Sequence, residues 1–219
     1  MPRKRPYHHG NLKPALIAAA VGRIAEVGPA AFTLREAARR AGISHNAPYR
    51  HFRNKGELLA AVATQGFERL AKALENFEGH RVRRRRPGTP LERLQASGVA
   101  YVQFALRSPD HLQVMFDWPL ESNHYPELEA AGARAFGILL SLVEAAQRNR
   151  DLPEGDSRVL ALIAWSMVHG VAKLAIGSRL PYTSEREVLE FAALAIDTLY
   201  RGLALDPRSK PTLAKPEYR

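Results

Sequence analysis

Apolar positions along the chain recur at spacings of three and four, and few runs alternate with period two, so the pattern predicts helix almost throughout. A first helix is expected over 12–27, with Leu16, Ala20, Ile24 and Val27 on its inner stripe and Gly28-Pro29 to stop it. A second is expected over 34–41. Thr33 and Glu36 make a Thr-x-x-Glu capping box, Leu34, Ala37, Ala38 and Ala41 face inward, and Gly42 ends it. Ser44 is then placed to N-cap an α-helix over 45–51, and Asn54 with Glu57 to cap a long helix over 55–78. Later helices are expected over 90–107, 109–117, 126–149, 156–178 and 184–204. Their starts are marked by a second box at Thr89-Pro90-Leu91-Glu92, by Ser108-Pro109, Tyr125-Pro126 and Asp156, and by Ser184 with Glu187. The last two carry wide apolar stripes: Leu160, Ile163, Ala164, Met167 and Val171 on one, Leu189, Ala192, Ala193, Ile196 and Leu199 on the other. The stretch "GHRVRRRRPGTP" (79–90) reads as a linker, and the tail 205–219, with Pro207, Pro211 and Pro216, as disordered.

The segment "SHNAPYRHFRNK" (44–55) decides what the N-terminal helices are for. A helix, the short turn "AGIS" and a second short helix make a helix-turn-helix. At about 100° per residue, Pro48 and Phe52 share one side and point into the core, whereas Asn46, Ala47 and Arg50 point outward. Tyr49 and His51 flank that outer arc, and His45 lies at the exposed N-terminal end. Pro48 near the start of a helix removes only an early hydrogen bond, so it is compatible with a helix there. Apolar residues beneath and polar or aromatic ones above are what a recognition helix needs to reach base edges.

Charge sharpens this reading. The chain of 219 residues has a net charge of +10, unevenly spread. Residues 1–56 hold 11 Lys/Arg against 2 Asp/Glu, residues 80–90 add 5 Arg, and residues 91–219 hold 14 against 16. A basic N-terminal module beside a near-neutral remainder suggests a polyanion partner. The absence of cysteine excludes disulfides and thiolate metal sites and fits a reducing compartment. No uninterrupted apolar run of membrane-spanning length and no signal-peptide pattern is read, so a cytoplasmic protein with no membrane partner is expected.

The run "AAFTLREAARRAGISHNAPYRHFRNKGELL" resembles the TetR family of bacterial transcriptional regulators, across roughly residues 10–60. It shares the Thr-capped helix, the Gly turn, the Tyr-x-x-Phe recognition segment and the Lys that opens the next helix. Pro48 departs from the Leu commoner at that place. "YHHGNLKPALIAAA" and "AWSMVHGVAKL" further resemble a subgroup with a Trp…His-Gly (WHG) signature in its C-terminal domain. The resemblance implies an all-α fold: an N-terminal helix-turn-helix DNA-binding domain over 1–56 and a C-terminal helical bundle for ligand binding and dimerisation over 57–204, followed by the tail 205–219. It implies that Thr33, Tyr49 and Lys55 contact phosphate, as hydroxyls, a Lys and helix N-termini suit. His45, Asn46 and Ala47 fall at base-reading positions, where Asn pairs with adenine and the Ala methyl meets thymine. Ser44 belongs to the same DNA-facing set, Arg35 suits guanine or phosphate, and Arg50 and His51 suit either. The last two helices are expected to pair with their twins in a homodimer. A two-fold dimer reads half-sites about 34–36 Å apart, so the double-stranded operator should be an inverted repeat. A small-molecule effector pocket is also implied, with Tyr101, Phe104, Met115, Phe116, Trp118, Trp165 and His169 as candidates, each of which serves equally as plain core.

Rival readings are weaker. His45 and His51 are six apart, which is not metal-ligand spacing on one helix face, and no metal or cofactor is expected. His8-His9 reads equally as a helix cap or phosphate contact and as an arm without a role; Arg3, Lys4 and Arg5 read equally as a DNA-reaching arm and a screened tail. The Arg cluster at 81–86 follows a helix roughly 35 Å long and reads mainly as solvated linker. No nucleophile elbow, phosphate loop or His-Glu-x-x-His motif appears, so no enzyme is expected. The expectation is a sequence-specific regulator, in the first instance a repressor released by a ligand. The alternatives are an activator or ligand-independent DNA binder and, in another class, a small-molecule-binding protein or enzyme on a helical bundle.

Overall fold

Reciprocal caps place three of the helix starts. In the computed structural model, which describes residues 12–76, 88–120 and 124–204, Thr33 Oγ1 accepts from the Glu36 N–H (3.3 Å) and the Thr33 N–H donates to Glu36 Oε2 (3.0 Å). Thr89 with Glu92 and Ser184 with Glu187 close the same way. Asp156 Oδ1 accepts from the Arg158 and Val159 N–H groups. Each cap satisfies backbone donors that the first turn leaves free. Ser108 makes no side-chain cap; Pro109 alone opens its helix.

Among the described residues there are eight helices and no strand: α1 (Leu12–Ala31), α2 (Leu34–Arg40), α3 (Lys55–Glu75), α4 (Pro90–Arg107), α5 (Pro109–Phe116), α6 (Pro126–Arg148), α7 (Ser157–Ile176) and α8 (Glu185–Ala204). Gly28, at φ 74° and ψ 164°, breaks α1 where Gly-Pro was expected to stop it, and one more helical turn follows through Ala31. The basic arm at residues 3–5, His8, His9, the Arg cluster 81–86 and the tail 205–219 lie outside the described residues.

The expected α-helix over 45–51 is corrected. The chain forms a turn and then a 3₁₀ segment, Ala47–Arg50, whose preceding residue is Asn46, and Ser44 is not its cap. The cause is Pro48. It has no N–H to give to the Ser44 carbonyl, and its ring crowds that carbonyl. The carbonyl is taken instead by the Ala47 N–H at 3.0 Å, a tighter i to i+3 bond. Pro48 O then accepts from both His51 and Phe52 N–H.

Contacts divide the chain into two units, along lines unlike the 1–56 and 57–204 partition. One runs through Lys72 and takes in Arg107–Ala135; the other comprises Ala73–Leu106 and the chain from Phe136 onward. In the first unit Leu16, Ile24, Phe32, Phe52, Leu58 and Leu59 form a core with Val114 and Leu128. Burying each large side chain contributes roughly 1.5–3 kcal/mol. In the second unit Leu94, Val102, Val143, Ala172 and Ile196 are buried.

The inner stripes of α7 and α8 also differ from expectation. Ala161, Ala164, Val168, Val171 and Ala172 are buried on α7, and Val188, Ala192, Ile196 and Tyr200 on α8. Leu160, Ile163, Met167, Leu189, Ala193 and Leu199 are only half-buried. α7 is so apolar all round that periodicity has little to choose between its faces, whereas α8 carries a charged face and buries Ala192 and Ile196 of the expected stripe. α1 and α7 are long and apolar enough to span a membrane by length and composition. On α1, however, Leu16, Ile17, Ala20 and Ile24 are spent on the core of the first unit.

Candidate nucleic-acid interface and a buried cavity

The turn after α2 is a Schellman closure: Ile43 N–H reaches Ala38 O (3.0 Å) and Gly42 N–H reaches Arg39 O (3.2 Å). It requires Gly42 at φ 69°, a conformation open to glycine at little cost. The turn sends the chain into the 3₁₀ segment with Pro48 and Phe52 buried. Ser44, His45, Asn46, Tyr49, Arg50 and His51 are exposed, as are Thr33 and Arg35; Ala47 is half-buried. Among the described residues no hydrogen bond, ion pair or ring contact engages the side chains of Arg35, His45, Asn46, Tyr49, Arg50 or His51. Their donors and acceptors are therefore available to an outside partner.

A charge network holds α2 against α1. Arg23 donates to Glu36 (Nη2–Oε1 2.8 Å) and to Glu26 (Nη1–Oε2 2.8 Å), and Arg40 pairs with Glu26. The bond from Arg23, followed by that from Thr33, holds the Glu36 carboxyl below its ordinary range. A side chain at Gly22 would meet the Arg40 guanidinium at about 3.0 Å, so the network closes directly over that glycine.

Lys55 begins α3 with two partners. Its Nζ donates to Ala30 O at 2.7 Å and lies 4.8 Å from the centre of the Trp118 ring. Partial burial pushes its ammonium below the ordinary lysine range, with Glu36 opposing. Asn54 Oδ1 accepts from the Glu57 N–H at 2.9 Å, while Glu57 receives the Arg53 backbone and side chain. Tyr125 also reaches this corner: a Cβ on Gly56 would lie 2.8 Å from its hydroxyl. The contacts of Lys55 to Ala30 and Trp118 carry no sequence signal, since the three come from separate parts of the chain.

The seven pocket candidates fall into two groups. Met115, Phe116 and Trp118 belong to the first unit, where Phe116 meets the edge of Phe67 at 5.5 Å and Met115 and Trp118 pack on the core. Tyr101, Phe104, Trp165 and His169 belong to the second. There Trp165 Nε1 donates to the Tyr101 oxygen (3.4 Å), which lies 2.7 Å from His169 Nδ1. Which of the phenol and Nδ1 donates across that contact is set by the His169 tautomer. Tyr101 and Trp165 line a cavity of about 30 Å³, whose walls include Leu94, Leu139, Val168 and Ile196. Tyr200 also lines it and was missed by the sequence reading, although it stands four residues after Ile196, on the same helical face. Phe104 is buried away from the cavity lining.

A buried apolar base under an exposed polar face, placed by a glycine turn against α2, defines a helix-turn-helix DNA-binding protein. Residues 16–62 match the family model for bacterial regulatory proteins of the tetR family, and residues 94–199 match the tetracyclin repressor-like C-terminal domain. The chain belongs to the TetR family, whose members are DNA-binding transcriptional regulators. A solved Rhodococcus protein of unknown function is 35% identical, covers 92% of this chain and 100% of its own, and superposes with a TM-score of 0.74. A tetR-family regulatory protein from Rhodococcus is 21% identical, covering 87% of this chain and 96% of its own, with a TM-score of 0.68. A curated HTH-type transcriptional repressor from Mycobacterium tuberculosis is 29% identical over 116 residues, 52% of this chain; the match spans 62% of that relative's length.

Proposed function

We propose that this protein is a homodimeric, sequence-specific repressor, released from an inverted-repeat operator by a small molecule. The observation that carries the reading is the row of exposed side chains without partners on the helix-turn-helix: Arg35, His45, Asn46, Tyr49, Arg50 and His51. His45, Asn46 and Ala47 read base edges, and Arg35, Arg50 and His51 take guanine or phosphate. Thr33, Ser44, Tyr49 and Lys55 hold the backbone. Repression is supported by the description of the Mycobacterium tuberculosis relative. Effector control is supported by the cavity in the second unit; α3 and α6 contribute residues to both units and supply the covalent route for a signal. On this reading 1–56 is the DNA-binding part and 57–204 the regulatory part. Dimerisation is supported by α7, whose most apolar stretch is only 33% buried, and by exposed Leu174, Ile176 and Leu194. A regulator of chromosomal DNA works in the cytoplasm.

The test is selection from a randomised DNA pool at near-physiological salt, with the retained sequences read out. One enriched inverted repeat is expected. In the same assay Tyr49→Phe should weaken all operator variants alike, whereas Asn46→Ala should change which base is preferred. Weak binding that vanishes as salt rises, with no enriched sequence, would show contact with phosphate alone.

A further inference from the structure

Two phenols line the cavity of the second unit, and they differ in one respect. The Tyr101 oxygen is engaged by Trp165 and His169. The Tyr200 hydroxyl, on a side chain only 5% exposed, has no hydrogen-bond partner among the described residues. A buried donor left unmatched is costly, and native interiors hold few of them. Burial raises the Tyr200 phenol well above its ordinary range, so it stays protonated and acts as a donor. The rest of the lining is Leu, Val, Ile and Ala with Gly98, Ser97 and Trp165, and no lining residue carries a charge. Ser97 is spent on the Leu94 carbonyl at 2.8 Å.

We infer that the cavity takes an uncharged, mainly apolar molecule bearing one hydrogen-bond acceptor, a carbonyl or ether oxygen, that receives the Tyr200 hydroxyl. The inference rests on the effector reading above and gives it a chemistry. A carboxylate or ammonium would enter without a counter-ion, at a high desolvation cost. A hydrocarbon would leave the phenol unmatched. At about 30 Å³ the cavity is far smaller than a drug-sized site, so occupation must move the wall. Ile196 and Val168 already crowd the space over Gly98, where an added Cβ would lie 2.8 and 3.3 Å from them. Those two residues belong to α8 and α7, so binding and displacement of these helices are one event.

Three probes of similar shape test this on the full-length protein: acetophenone, ethylbenzene and benzoate. An NMR titration would follow the Trp165 indole N–H, which sits in the cavity wall; Trp118→Phe assigns the signal. Acetophenone is expected to bind roughly threefold to tenfold more tightly than ethylbenzene, the net value of one hydrogen bond, with benzoate weakest. Tyr200→Phe should erase the gap between acetophenone and ethylbenzene. It should leave the thermal midpoint of the ligand-free protein unchanged or raised, because it removes a buried hydroxyl that has no partner among the described residues. Tyr101→Phe should lower that midpoint, since it removes the oxygen that Trp165 and His169 share. Equal binding of acetophenone and ethylbenzene, tightest binding of benzoate, a preference that survives Tyr200→Phe, or no binding of any probe would overturn the inference. Operator release is read separately. Acetophenone that binds as expected without releasing DNA would overturn the effector reading and leave the cavity chemistry standing.

Discussion

At the residue scale, the most consequential contact is the one least visible in the chain. Lys55 is expected to touch phosphate, but in the structure its ammonium is oriented by the Ala30 carbonyl and the Trp118 face. A cation over an indole is held by roughly 0.5–1 kcal/mol at an exposed site. Trp118 therefore acts as a positioning residue for Lys55. Trp118→Leu should weaken operator binding severalfold, with Trp118→Phe close to wild type. Lys55→Ala should lower the slope of log affinity against log salt by about one. Fluorescence anisotropy over a salt series reads both; an unchanged affinity in Trp118→Leu would remove the positioning role. Pro48 is the other residue whose effect is outsized. One missing N–H turns a predicted α-helix into a 3₁₀ segment and changes the path that carries His45, Asn46 and Ala47.

Among elements, α3 and α5 approach closely at one glycine. A Cβ on Gly66 would lie 2.5 Å from Met115 Sδ. Beside it His111, 3% exposed, shares a 3.1 Å hydrogen bond with Gln65. Burial, aided by Arg69, pushes the His111 imidazole down from 6.5 to about 4. The sign follows from linkage. The unfolded chain takes up the proton near pH 6.5 and the folded one only near 4, so stability present above 6.5 is lost as pH falls through that window. The loss has an upper bound of about 3 kcal/mol. Asp110, raised by its own desolvation, works in the opposite direction. Denaturant unfolding at a series of pH values should show the slope, and His111→Gln should flatten it while keeping a partner for Gln65. The carboxyls held low by hydrogen bonds, Glu36 and Glu57 among them, lose their contribution in the same direction but only as pH falls toward and below their unfolded value of 4.5, so the slope above about pH 5 belongs to His111.

For the whole molecule, the question is what covers α7 and α8. The half-buried residues Leu160, Ile163 and Met167 continue to exposed Leu174 along α7, an apolar stripe outside the core. Leu194 is 62% exposed on α8. Pairing with a second copy, which the family resemblance implies, would cover these faces. Leu174→Glu with Leu194→Glu should convert the protein to a monomer in sizing experiments at micromolar concentration. Affinity for an inverted repeat should fall far more than affinity for a single half-site. A wild-type protein that is already a stable monomer would refute the dimer.

What the chain determined unaided is what depends on neighbours in sequence. Caps such as Thr33 with Glu36, Thr89 with Glu92 and Ser184 with Glu187 act within one turn, so the helix starts were legible. The glycine turn at Gly42 and the inward pair Pro48 and Phe52 were legible for the same reason, and with them the helix-turn-helix. Tertiary structure alone decided whatever joins distant residues. Lys55 meets Ala30 and Trp118, and Tyr101 meets Trp165 and His169, through packing that no spacing encodes. It also chose which face of the nearly all-apolar α7 lies inside, and on α8 it buried Tyr200 more deeply than Leu199. Burial is a property of the assembled neighbours, and periodicity reveals it only where one face of a helix is polar enough to refuse it.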